Sequence, residues 1–143
     1  MRLLPLLALL AACSSSVPGY APVKKNLCAD CSRARFPFET PRQGAVLDYG
    51  GSSSGLYEVI DLRGLTVERV VTKTEAGART VTSRDKKAIT KEHRDRLVEV
   101  LNRAWAEEGA VPVRPATDAS WELTLLDGDA IRVEKGLGAA SPL

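Results

Sequence analysis

Apolar and polar residues alternate from Leu56 to Lys73 on both sides of a central Arg63-Gly64, the pattern of a β-hairpin. With those two residues as the turn, Leu62/Leu65, Ile60/Val67, Glu58/Arg69 and Leu56/Val71 face one another on one side of the sheet. Three apolar pairs and one pair of opposite charge suit a half-buried face. The other side carries Asp61/Thr66, Val59/Glu68 and Tyr57/Val70, and a slip of one residue would scramble both sides. Upstream, residues 45–49 predict a first strand, ended by the turn-forming Gly50-Gly-Ser-Ser-Ser-Gly55. Downstream, Glu75-Ala-Gly77 predicts a turn into a short polar edge strand over 79–82, where Thr and Arg discourage pairing with foreign strands. The charged run Arg84-Asp-Lys-Lys87 reads as a solvated loop.

The period then changes. Over residues 91–107, Leu97, Val98, Val100, Leu101, Ala104 and Trp105 fall in one stripe at 100° per residue, which predicts an amphipathic helix. Thr90 suits the N-cap, Glu92 the first turn and Gly109 the position after the C-cap. Glu92/Arg96 and Glu99/Arg103 are i,i+4 pairs on the opposite side. After Pro112 and Pro115, Trp121, Leu123 and Leu125 alternate with Glu122 and Thr124. A three-residue loop, Asp127-Gly-Asp129, keeps the faces of this last hairpin clean, pairing Leu125/Ile131, Leu123/Val133 and Thr124/Arg132, with Asp129 left-handed. The expected fold is α+β: a small antiparallel sheet of five to six strands over residues 43–136, packed against one helix in two layers. Leu97, Leu101 and Trp105 would meet Ile60, Val67, Leu123 and Val133, with residues 137–143 as a C-terminal tail.

Before this domain, residues 13–42 hold Ser14-Ser15-Ser16, four prolines and no apolar period, and read as a flexible tether. The tether carries net charge +3 from Lys24, Lys25, Arg33, Arg35 and Arg42 against Asp30 and Glu39, which suits anionic headgroups. Met1 to Ala12 has one basic residue, Arg2, and then an unbroken apolar run, the layout of a secretory signal peptide. Leu10-Ala11-Ala12-Cys13 resembles the lipobox of bacterial lipoproteins. That resemblance implies removal of residues 1–12, acylation of Cys13 and a lipid anchor in the cell envelope. Ser14 rather than Asp after the cysteine points, by the enteric sorting pattern, to the outer membrane.

Cys28 and Cys31 remain, and an exported chain predicts a disulfide between them. A thioredoxin-type centre would need a strand-to-helix setting, haem attachment a His at Ser32, and zinc two further ligands where His93 is the sole histidine. Gly51-Ser-Ser-Ser-Gly55 matches the pattern of a serine nucleophile at Ser53, with Asp61 or Asp85 and then His93 in hydrolase order. A nucleophile elbow turns into a helix, however, and Leu56 onward alternates as a strand. Asp127-Gly-Asp129 lacks the remaining ligands of a calcium loop. No cofactor motif is present, aromatic content is 5%, and a formal charge of +2 argues against nucleic acid. A non-catalytic binding module with a protein partner in the envelope is the expected function. Its contact loops would be 50–55, with Gly50, Gly51, Ser53 and Gly55, and 111–118, with Arg114 and Asp118. From Ala45 onward the chain resembles the emfourin family of small bacterial metalloprotease inhibitors. The matching features are a strand before Gly50-Gly51, a hairpin, a helix with Leu97 and Leu101, and Trp121-Glu-Leu-Thr-Leu entering Asp127-Gly128. That resemblance implies binding to an extracellular or periplasmic protease.

Overall fold

Alternation along the middle of the chain is realised as a four-stranded antiparallel meander: β1 Gln43–Asp48, β2 Ser54–Asp61, β3 Thr66–Glu75 and β4 Ala78–Ala88. Helix α1, Lys91–Ala106, follows, then the short β5, Val113–Arg114, the hairpin β6 Ser120–Asp127 and β7 Ala130–Leu137, and β8 Ala139–Ala140. The computed structural model describes residues 16–49, 54–106, 113–114, 120–137 and 139–140. The expectations for residues 1–12, Cys13, Gly50, Gly51, Ser53, Glu107, Gly109 and Asp118 lie outside these residues. Six strands form one sheet in the order β4-β3-β2-β1-β6-β7, and β5 pairs with β8.

The β2–β3 register is the one the hydrophobic pairs require, from Leu56↔Val71 to Asp61↔Thr66. Its turn is wider than two residues, because strand pairing stops at Asp61 and Thr66. Asp61 Oδ1 accepts the Gly64 N–H at 2.8 Å, Leu62 is fully buried, and Leu65 takes a positive φ of 54°. At the β3–β4 turn Ala76 and Gly77 both have positive φ, 52° and 79°, as a tight primed hairpin turn demands. Gly44, with φ of 152°, admits no side chain: a Cβ there would lie 1.9 Å from the Ile60 carbonyl oxygen.

Four expectations about strands are corrected. Arg84–Lys87 is not a loop, and the edge strand is not confined to 79–82. Both belong to β4, eleven residues long, whose side chains are almost all exposed because it lies at the margin of the sheet. The last hairpin has a two-residue loop, Gly128-Asp129, with Gly128 at the positive φ, so that Leu126 faces Ile131, Leu125 faces Arg132 and Thr124 faces Val133. The physical reason is that this hairpin has no wet face. Leu126 and Ile131 are buried on one side, and Leu123, Leu125 and Arg132 are buried on the other. Within the expected tail, Leu137 belongs to β7, and Ala139 and Ala140 form β8, paired with β5.

The α+β expectation is also corrected. Among the described residues one 16-residue α-helix stands against six paired strands of six to eleven residues, so the fold is predominantly antiparallel β. Nor are there only two layers. On one face α1 packs Leu97, Val98, Leu101, Ala104 and Trp105 onto Ala45, Leu47, Ile60, Leu123 and Leu125. Thr90 Oγ1 accepts the His93 N–H at 3.1 Å to start this helix. On the other face, Phe36 and Phe38 cover Val46, Tyr57, Val59, Val70, Leu126 and Ile131, with Val133 beside them rather than under the helix.

Residues 17–42 are therefore part of the fold, not a tether. Val17 and Tyr20 join the helix-side core. The Val17 N–H donates to Gln43 Oε1 at 3.0 Å, and the Tyr20 hydroxyl donates to the Leu126 carbonyl at 2.9 Å while accepting the Trp105 indole N–H at 2.8 Å. Asn102 holds the segment from the helix, accepting the Ala21 N–H and donating to the Gly19 carbonyl, both at 2.9 Å. The chain then passes the β7 edge, where the Cys28 N–H donates to the Ile131 carbonyl at 2.8 Å. It makes a 3-10 turn at Arg33–Arg35 and lays the two phenylalanines against Tyr57, with ring centroids 6.2 and 5.1 Å away. The Arg33 guanidinium donates to the carbonyls of Pro41 and Gly128, tying the segment to the last hairpin.

Cys28 and Cys31 form a disulfide, with Cα atoms 5.5 Å apart, inside this packed segment. Because Phe36, Phe38 and the Cys28 backbone bond also hold the segment, the double variant Cys28→Ser, Cys31→Ser is expected to stay folded. Opening so short a loop removes about 2 kcal/mol by loop-closure entropy. Denaturant titration of the oxidised protein against the double variant checks this, and loss of the cooperative transition would contradict it.

Candidate binding groove

The helix leaves part of the sheet uncovered. Between the first turns of α1 and the helix-facing side of β2, β3 and β4 lies an open groove of about 440 Å³. Strand register builds it in two rows. Ile60, Val67 and Lys87 stand side by side in the first, and Glu58, Arg69 and Asp85 in the second. Ile89, His93 and Leu97 close it from the helix side. The floor is apolar and the walls alternate in charge.

Glu58 is the most constrained of the charged groups. Its Oε2 accepts the Tyr49 hydroxyl at 3.0 Å, and its Oε1 lies 3.7 Å from Arg69 Nη2. Asp85 and Lys87 approach within 3.9 Å and are largely exposed. Such exposed pairs contribute at most about 1 kcal/mol to stability. Their side chains therefore reorient towards a ligand at little cost. Asp85 and His93, two members of the hydrolase order, do share this groove. Asp61 does not, being engaged with Gly64 at the β2–β3 turn, and Ser53 lies outside the described residues.

Other expected contact residues are placed differently. Gly55 is not an exposed loop residue: it is buried in β2, where a Cβ would meet Thr72 Oγ1 at 2.6 Å. The β1–β2 connection is thus shorter than 50–55. Arg114 lies in β5, opposite Ala139. The charged groups that sequence reasoning missed are buried. Arg132 is only 2% exposed, and its guanidinium donates to the Trp105 carbonyl and, at 2.9 Å, to Glu134 Oε1. On the far face Glu68, 6% exposed, accepts from Arg84 at 2.7 and 3.2 Å. The signal for the groove was present in Glu58/Arg69 and in the alternation of Arg84-Asp-Lys-Lys87.

All three tyrosines titrate above the ordinary value of about 10. Burial and then the Glu58 charge push the Tyr49 phenol up to about 12. Burial raises Tyr20 further, and burial with the Asp48 charge raises Tyr57 despite Arg79. In the unfolded chain the phenols ionise near pH 10, whereas in the folded protein they stay neutral to higher pH. The stability they contribute is full below about pH 10 and is lost as pH rises towards 12. The denaturation midpoint should therefore be lower at about pH 11 than at about pH 9, with less phenolate absorbance from the folded than from the unfolded protein near pH 10. Ordinary phenol titration in the folded protein would contradict these assignments.

Among the described residues, no group of three or more His, Cys, Asp or Glu is arranged to hold a metal ion, and no helix is long and apolar enough to cross a membrane. The chain matches no protein-family model, no curated protein and no solved structure.

Proposed function

We propose that this chain is a lipid-anchored, non-catalytic binding module of the bacterial cell envelope, and that the groove beside α1 engages a protein partner. The observation that carries the reading is the groove itself: an apolar floor of Ile60 and Val67 flanked by Glu58, Arg69, Asp85 and Lys87. Small apolar side chains of a partner fill such a floor, while its charged groups pair with the charged rim. The adjoining β4 edge adds backbone. The Ile89 N–H donates inward to the Leu65 carbonyl at 2.9 Å, so in the same alternation Lys87 and Asp85 face β3 while Lys86 and Arg84 turn their backbone groups outward. An extended partner segment laid along this edge would pair with those groups and place alternate side chains in the groove.

The test is photocrosslinking in intact cells, with the crosslinker at Lys87 in the groove or at Glu75 on the distant β3–β4 turn. A discrete adduct from Lys87, abolished by Arg69→Glu and absent from Glu75, supports the groove. Adducts from Glu75 alone would place the contact elsewhere. Inhibition of a thermolysin-like protease by the purified protein would favour the inhibitor reading. Ester hydrolysis lost specifically in Ser53→Ala would overturn the non-catalytic one.

A further inference from the structure

Docking of Val17 changes what an anchor at Cys13 would do. Val17 is 5% exposed and bonded to Gln43, so only four residue steps separate Cys13 from the packed domain. At about 3.3–3.6 Å per residue these steps reach no more than about 14 Å, and the domain sits against the bilayer rather than at the end of a long leash. The end of the sheet nearest the anchor is then set by strand direction. Gln43 begins β1, and Asp127 and Ala130 flank the last hairpin loop, all beside Ser16, while Asp61 ends β2 at the same end, opposite Gly44. The Asp48 end of β1 and the Ala76-Gly77 turn lie at the other end.

The near end has the composition of a membrane contact. Val23 and Leu27, 43% and 44% exposed, are the large exposed hydrophobic residues among those described, and they bracket Lys24 and Lys25. Arg42 and Arg63 are exposed, and with Lys24 they rim a shallow depression that includes Ser16. Its carboxylates are Asp127 and Asp129; Asp127 is held by Gln43 Nε2 at 2.9 Å and faces Lys24 at 3.6 Å. Arg42 and Arg63 have no ion-pair partner among the described residues. We infer that this pole, formed by Val23, Lys24, Lys25, Leu27, Arg42 and Arg63, rests on anionic phospholipid headgroups and orients the domain with its Ala76-Gly77 turn away from the bilayer. The two apolar side chains enter the interface while the cations meet phosphates. This inference rests on acylation of Cys13.

The full-length lipidated protein, reconstituted into phosphatidylglycerol-containing vesicles with a headgroup-borne energy acceptor, tests it. Cys13 is acylated and Cys28 is paired with Cys31, so an introduced cysteine is the sole thiol for a fluorescent donor. Donors at Asp129→Cys and Glu75→Cys differ in height by about 30 Å if the ten residues of β3 stand away from the surface at about 3.3 Å each. Strong transfer from Asp129→Cys and weak transfer from Glu75→Cys is expected. The contrast should be lost when Arg42→Glu and Arg63→Glu are added, or when phosphatidylcholine replaces the anionic lipid. Equal transfer from both positions in acylated protein would overturn the inference. A contrast insensitive to both changes would overturn its electrostatic basis. Mass spectrometry of the same samples separates these failures from absence of the fatty acid, which would instead remove the anchor reading.

Discussion

A fragment that begins at Gly44 is expected not to fold. It contains every strand of the main sheet and the whole of α1 except for Gln43 at the start of β1, yet it lacks Val17, Tyr20, Phe36 and Phe38. Deleting the side chain of one buried aliphatic or aromatic residue costs about 2–5 kcal/mol. Domains of this size have only about 5–15 kcal/mol of net stability, and four such losses, about 8–20 kcal/mol, are as large as that. The chemistry of the exposed surface compounds the loss. Removing the segment uncovers Val46, Tyr57, Val59, Val70 and Leu126 together, and strips the Trp105 indole of its acceptor. Circular dichroism of the fragment should show no cooperative melting, and its concentration-dependent aggregation is expected. A fragment that melts at the temperature of the whole chain would mean that residues 17–42 contribute nothing to the core.

The largest expected effect of a single substitution is at Trp105. Its side chain is fully buried between the helix and the sheet, and it links three parts of the chain. The indole N–H donates to Tyr20, Tyr20 donates to Leu126, and the Trp105 backbone carbonyl accepts from buried Arg132. Trp105→Ala should destabilise by about 3–5 kcal/mol, from lost burial and the cavity left behind. At about 3–5 °C per kcal/mol for a chain of this length, the melting midpoint falls by roughly 10–20 °C. Trp105→Phe separates the terms. It keeps most of the apolar volume and loses the hydrogen bond to Tyr20, which contributes about 1 kcal/mol, so its midpoint should lie well above that of the alanine variant. Equal losses in the two variants would show that the hydrogen bond, not the packing, dominates.

What the residue pattern revealed follows from how many faces each element buries. The β2–β3 register was legible because Leu56, Ile60, Val67 and Val71 sort onto one side only when Ile60 faces Val67. The helix was legible for a similar reason, as Leu97, Leu101, Ala104 and Trp105 share a single stripe. The last hairpin misled because the search for one clean face presumed that the other was wet. Arg132 sits buried beside Leu125 because Trp105 and Glu134 accept its protons, a pairing no local pattern contains.

The segment 17–42 misled more seriously. Its apolar residues are isolated among prolines and serines, and each is buried by a different neighbour: Val17 and Tyr20 under the helix side, Phe36 and Phe38 on the opposite face. Irregular backbone of this kind has no period to detect. β4 was hidden for the opposite reason. An edge strand charged on both faces reads as a loop, and only its pairing with β3 shows that Arg84 meets Glu68 and that Asp85 faces Arg69. The groove depends on that strand, so its composition was visible in the sequence while its assembly was not.

The account turns on residues 17–42 being an integral layer of the fold. Backbone amide hydrogen exchange in the purified protein measures this directly. The Val17 amide is bonded to Gln43 and the Cys28 amide to Ile131, whereas Lys24 is exposed between them. Protection at Val17 and Cys28 approaching that of the Leu101 amide in the helix core is the predicted result. Exchange at Val17 and Cys28 as fast as at Lys24 would contradict it, returning the segment to a tether.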